Sequence, residues 1–274
     1  MPRSETSKSG GPGRSRPLPA TPTSVTVTLD AAGRYWASFV VETDPEILPG
    51  LDTETGIDLG LAHFAVLSDG RKVAAPKFLR RAEKKLKRMQ KALSRCEKGS
   101  NNRSKARKKV ARQHARVADQ RRDWHHKEST KIIRDSQAVY VEDLAVSALG
   151  RTRLAKSVYD AGWSQFVGML EYKAVKHGRH FGRIGRFEPT SQVCAVCGTK
   201  DGPKPLHVRE WTCGACGIVH DRDVNAARNI LAAGRADRLN ACRAPVRRAS
   251  VPAQRREAGT HRDGHPTVAG IPAP

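Results

Sequence analysis

No uninterrupted apolar run approaches the roughly 18 residues that a membrane span needs, and the first residues lack the apolar core of a secretory signal. A cytoplasmic, intracellular chain is therefore expected. Cysteine is sparse: there are six in 274 residues, four of them in two Cys-x-x-Cys pairs. That pattern argues against a disulfide framework and for metal binding in a reducing compartment, with Cys96 and Cys242 as plain thiols. Acids are short as well, 27 Asp plus Glu against 50 Lys plus Arg, for a net charge of +23. An excess of that size calls for a polyanionic partner, with nucleic acid the first candidate. No internal repeat is visible, so one substantial core with attachments is the reading that the length favours.

The positive charge is concentrated. Residues 71–134 hold 24 Lys or Arg against five acids. Apolar residues there recur at helical spacing, Leu79, Ala82, Leu86, Met89 and Leu93, then Ala106, Val110, Val117 and Trp124, with a break at 97–102. Two long basic antiparallel helices are predicted. Alternation around 30–33 predicts a β-hairpin over 24–42, and a second hairpin is predicted from 56–61 through 65–67 to 72–74. A buried strand at 137–142, a helix over 163–177 with Phe166, Met169, Leu170 and Val175 on its apolar side, a weaker strand at 179–185 and a helix at 223–231 complete a mixed α/β sheet. Residues 1–23 and 234–274, poor in anything to bury, are expected to be disordered.

The sharpest isolated motif is Cys194-x-x-Cys197, 15 residues, then Cys213-x-x-Cys216. Each pair sets two thiolates on one side of a tight turn, with Gly198, Gly214 and Gly217 available to fold the backbone behind them. Two such knuckles make a closed tetrahedral zinc site, structural because no coordination position is left open. A redox pair or two disulfides are the competing readings. Singly, Asp58 could be a turn residue and Glu142 could cap the segment after its strand. Their placement changes that reading: an Asp in an apolar first strand, a Glu ending a central strand and Asp223 opening a helix. Buried carboxylates need compensating charge, and three together could hold two Mg²⁺ (or Mn²⁺) ions about 4 Å apart, as in phosphodiester hydrolysis. His125-His126 reads as packing or surface, because adjacent helical residues diverge by about 100°. His220 is a weaker candidate for substrate contact, and Arg222 is the better phosphate contact.

Gly56-Ile57-Asp58-Leu59-Gly60, Val141-Glu142-Asp143-Leu144, Thr190-Ser191-Gln192-x-Cys194-x-x-Cys197-Gly198 and Asp221-Arg222-Asp223-Val224-Asn225-Ala226-Ala227-Arg228-Asn229-Ile230 stand in an order that resembles transposon-encoded TnpB proteins. These are RNA-guided nucleases related to type V CRISPR effectors and are often described as transposases. The resemblance implies an RNase H-like, RuvC-type domain over 51–233, interrupted by the basic helical hairpin (71–134) and a zinc ribbon (188–220). It implies Asp58, Glu142 and Asp223 as catalytic, Mg²⁺-binding acids, with Asp221 in support. It implies a guide RNA and target DNA as partners, in the nucleoid of a prokaryotic cell, gripped through Lys84, Lys85, Lys87, Arg88, Arg103, Lys105, Arg107, Lys108, Lys109, Arg112 and Arg222. Relatives usually carry a further N-terminal β-barrel with a helical insert. Residues 24–50 are expected to be its closing hairpin plus a linker, the rest being absent. Two alternatives to an RNA-guided DNA endonuclease stay open: a non-cleaving, zinc-stabilised binding protein, and a strand-transferring transposase.

Overall fold

The computed structural model describes residues 18–205 and 207–243; the expected disorder at 1–17 and 244–274 lies outside them. Strands β1 (Ser24–Leu29) and β2 (Tyr35–Val40) form the first predicted hairpin. Its turn is knit by one carboxylate, since Asp30 accepts hydrogen bonds from the Ala32 and Arg34 amides and from the Arg34 and Trp36 side chains. Every residue of both strands is exposed; the hairpin is tied to α2 at its tip, where Arg34 pairs with Asp119 and Arg112 donates to the Ala32 carbonyl.

The main sheet is built from β3 (Glu54–Asp58), β4 (His63–Leu67), β5 (Lys72–Ala74), β6 (Ala138–Glu142) and β7 (His180–Ile184), in the order β5-β4-β3-β6-β7. β3, β4 and β5 form an antiparallel meander, while β6 and β7 run parallel to β3. Between β5 and β6 come α1 (Phe78–Ser94) and α2 (Asn101–Asp135), the predicted basic pair packed on each other. Ser100 caps α2 by accepting the Arg103 amide. α1 has no cap of its own; buried Asp160 reaches in and accepts the Leu79 and Arg80 amides. After β6 come the short helices α3 (Val146–Leu149) and α4 (Ala155–Ala161), which the periodicity did not indicate, and then α5 (Trp163–Lys176).

Strand parity sorts the side chains. Ile57, Val139 and Val141 face α2 and α5 in a core with Phe64, Ile133, Phe166 and Leu170. Val175, read as part of that apolar face, is 74% exposed, because α5 buries the stripe through Trp163, Phe166, Met169, Leu170, Lys173 and Ala174. His125 belongs to this core. It is fully buried among the Phe64, Trp124 and Phe166 rings, its Nε2 lies 2.9 Å from the Ala161 carbonyl, and burial pulls its pKa down to about 4. The packing reading of that histidine holds.

On the opposite face Ala138, Tyr140 and Ile184 pack against the final helix, α6 (Arg222–Arg243). That helix passes the predicted boundary at 233 by ten residues. It lies unusually close to the sheet: a Cβ on Gly56 would sit 2.2 Å from the Ala227 carbonyl oxygen, and one on Gly234 would sit 2.2 Å from the Tyr140 ring. Gly56 and Asp58 point to the same side of β3, as Tyr140 and Glu142 do on β6. Both acids are thereby aimed toward α6.

Candidate active site and metal centre

β3 and β6 pair in parallel with Ile57 opposite Val141. One residue further along each strand stand Asp58 and Glu142, side by side at the carboxyl edge of the sheet. Asp223 arrives from the first turn of α6. The three line one cleft of about 450 Å³, together with Arg209 and Arg222. Burial, then the charges of Asp223 and Glu142, push the Asp58 carboxyl up to about 7, against the opposing pull of Arg222 and Arg209. Burial and the neighbouring Asp143 raise Glu142 as well. Asp58 is therefore a carboxyl held near its midpoint at neutral pH by burial first and by negative neighbours second, a condition that a cation relieves.

Asp221, two residues before Asp223, has its oxygens committed elsewhere. One accepts the Asp223 and Val224 amides at 3.1 and 3.0 Å and so caps α6; the other pairs with Lys72. Asp223 is left to the cleft. It meets Arg209, whose Nη1 lies 3.4 Å from both carboxylate oxygens. Arg209 was not singled out in the sequence; it precedes β8 in the cysteine-bearing segment, and nothing local ties it to an acid 14 residues on.

The cysteine segment adds β8 (Glu210–Thr212) paired with β9 (Val219–Asp221), strands too short to show a period. The Sγ atoms of Cys194, Cys197, Cys213 and Cys216 all lie within 4.8 Å of one another. Among the described residues no set of three carboxylates is drawn together in this way. The two knuckles are copies. In each, the carbonyl of the first cysteine accepts the amide of the glycine four residues on, Gly198 or Gly217, both at 2.9 Å. Those glycines sit at φ +75° and +73°, which other residues resist. Gly214, expected to share that task, does not have a positive φ. The quartet can hold a metal.

His220, read as a candidate substrate contact, is buried instead beside the cysteines, with Nε2 3.0 Å from the Cys194 Sγ and its ring 4.8 Å from that of Trp211. It belongs to the small core of the knuckles. Arg222 does line the acid cleft, while donating to the Pro205 carbonyl. On the basic helices Lys84, Lys85, Lys87, Arg88, Lys105, Arg107, Lys108 and Lys109 are exposed. Arg103 and Arg112 have structural partners: Arg103 caps the end of α1 through the Leu93 and Cys96 carbonyls, and Arg112 binds the hairpin turn.

Fold and site together define a mixed α/β protein with an acid-lined cleft at a parallel strand edge and, packed beside it, an insert whose four clustered cysteines could hold a metal. Residues 38–153 match the family model described as "Probable transposase", and residues 163–230 the one described as "Cas12f1-like, TNB domain". A Streptomyces pristinaespiralis protein named "Putative RNA-guided DNA endonuclease" is 46% identical over 261 residues, covering 94% of this chain and 64% of that one. InsQ of Escherichia coli K12, with the same description, is 33% identical over 233 residues, covering 77% and 56%. A TnpB-like protein of Acanthamoeba polyphaga mimivirus is 24% identical over 238 residues, covering 80% and 45%. The chain belongs to the transposon-encoded TnpB family. It spans less than two thirds of the length of these relatives. Among the described residues no helix is long and apolar enough to cross a membrane.

Proposed function

We propose that this chain is the nuclease portion of an RNA-guided, metal-dependent DNA endonuclease of a transposable element, with an RNase H-like, RuvC-type catalytic fold. The observation that carries the reading is the convergence of Asp58, Glu142 and Asp223 on one cleft, with Asp58 held near neutrality by burial and by the other two acids. Such a donor set is all oxygen and suits Mg²⁺ or Mn²⁺. A pair of these cations, when bound, supplies water activation at neutral pH and charge stabilisation at the leaving oxygen. The side chains do the rest. Asp58, Glu142 and Asp223 would hold the cations, with the Asp58 carboxyl binding as the carboxylate, and Arg209 and Arg222 line the same cleft, where they would face the phosphate. The cysteine quartet holds a structural Zn²⁺ in a closed site. The exposed basic residues of α1 and α2 contact guide RNA and its heteroduplex through phosphates, with affinity that falls steeply with salt.

The test combines the chain with a guide transcribed from the flank of its element and a matching DNA, in Mg²⁺ and in EDTA. Cutting is expected only with Mg²⁺, and is lost in Asp58→Ala, Glu142→Ala and Asp223→Ala while guide binding persists. A variant that still cuts removes its residue from the site. A second reading, a zinc-stabilised binding protein that does not cut, draws on the bare β1–β2 hairpin, whose apolar side chains contact nothing that would bury them. Guide binding without Mg²⁺-dependent cutting favours it.

A further inference from the structure

Phe187 is 93% exposed, the most exposed large apolar side chain among the described residues. The chain is only 5% aromatic, and a phenylalanine left in water forgoes the favourable burial of its ring. Its backbone is nonetheless held at both flanks. Strand β7 ends at Ile184, in register with Glu142. Arg186 is then tied to the residue after Glu142, its Nη2 2.7 Å from Asp143 Oδ2 and its Nε 3.2 Å from the Asp143 carbonyl. On the other side Glu188 donates its amide to the Gly185 carbonyl and accepts that of Thr190, and Glu188, Pro189 and Thr190 line the acid cleft. Phe187 therefore stands one residue before the segment that lines that cleft, on a backbone anchored at both flanks. Leu154, itself 48% exposed, lines the same cleft.

We infer that Phe187 is a stacking platform for one base of a single-stranded nucleic acid entering the cleft, a specificity element that rests, for its ligand class, on the nuclease reading. The surroundings fit a nucleotide in two parts. Arg209 and Arg222 offer cations to its phosphate inside the cleft, and the Phe187 face offers an apolar surface to its base outside. In a duplex the base faces are already stacked on their neighbours and closed to a protein ring. An unpaired strand has them free, and base–aromatic stacking there is tolerant of sequence. Phe187 thus selects for strand separation at the point of cutting rather than for any one base.

The experiment uses the full chain carrying Asp58→Asn, so that no cleavage is required, and a short oligodeoxynucleotide with a single 5-iodouracil, single-stranded or annealed to its complement. Long-wavelength irradiation is expected to give an adduct on the tryptic peptide beginning at Phe187 with the single strand and not with the duplex. Phe187→Ala is expected to remove the adduct and weaken single-strand binding at high salt about tenfold, the size of one stack, leaving duplex binding unchanged. Phe187→Trp is expected to retain both. Adducts confined to other aromatic residues, equal labelling of the duplex, or unchanged single-strand affinity in Phe187→Ala overturns the inference. The nuclease reading is judged separately, by Mg²⁺-dependent cutting in the unsubstituted chain, so stacking without cutting and cutting without stacking are distinct results.

Discussion

Asn225 Oδ1 accepts the backbone amide of Ala195 at 2.9 Å, a bond that fixes the first cysteine knuckle to α6 two residues beyond Asp223. The Asn225 Nδ2 donates to the Val193 and Thr190 carbonyls, and Asn229, one turn on, donates to the same two at 2.7 Å. Asn225 is almost wholly buried. Asn225→Ala leaves the Ala195 amide without its acceptor and opens a gap at a buried position, while the two carbonyls keep Asn229, so a loss of about 1–3 kcal/mol in stability is expected. Zinc content should stay intact while the knuckle detaches from α6. Thermal melts, zinc stoichiometry and amide exchange over 190–197 check this; faster exchange confined to α2 and α5 would contradict it.

The Asp58 carboxyl gives a pH dependence. Its pKa rises from 3.8 to about 7 on folding, so in the metal-free protein the folded state holds a proton that the unfolded state has released. Stability is therefore expected to fall as pH rises from 4 towards 7 and to level off above. A divalent cation competes with that same proton. Mg²⁺ should raise the melting temperature more above pH 7 than below it, and Asp58→Asn should abolish the difference. A Mg²⁺ effect independent of pH would count against Asp58 as a ligand.

Gly56→Ala places a methyl group 2.2 Å from the Ala227 carbonyl oxygen and 2.5 Å from the Leu231 amide nitrogen. Neither is a flexible tip, so α6 must move away. A destabilisation of about 1–3 kcal/mol or more is expected, with loss of cutting because Asp223 moves with its helix. Denaturant titration alongside the cleavage assay reads both. Gly168→Ala, in the interior of α5 and meeting nothing within 4 Å, should instead stabilise by about 0.5–1 kcal/mol.

Chelation of the knuckle metal, or Cys194→Ser, is expected to loosen 188–221 while α2, α5 and the five-stranded sheet keep their protection from amide exchange. The segment's own core is only Cys194, Trp211 and Cys213 with Val208 beside them, too little to stand without the cross-link. His220→Phe removes the imidazole from the Cys194 Sγ and should weaken zinc retention against a competing chelator. Zinc retention equal to that of the unsubstituted chain would assign His220 a packing role alone.

Local pattern made much of this protein legible. A period-two pattern located the first hairpin, period-3.6 runs located α1, α2 and α5, and cysteine spacing located the knuckles, because each signal is written within a few residues of itself; the strand read through 56–67 is instead broken at 59–62 into the antiparallel β3 and β4. What failed lay at longer range. Ala233-Gly234-Arg235 carries the small-residue composition of a tail, yet α6 runs through it because Gly234 fits against the Tyr140 ring. Arg103 looks like any cation of its run, and only the return of α2 past the end of α1 gives it carbonyls to cap.

By itself the sequence determined which residues could carry chemistry: three acids at strand and helix ends, four cysteines at knuckle spacing, and one basic stretch. Tertiary structure alone decided that the acids share a cleft. Asp58 and Glu142 are neighbours only because β3 and β6 pair in parallel and in register, and Asp223 reaches them only because Gly56 lets α6 lie against the sheet. Residue type is a local property. The field that lifts one carboxyl to about 7 is the sum of burial and charges contributed by segments more than 80 residues apart, and it exists only once the chain has closed on itself.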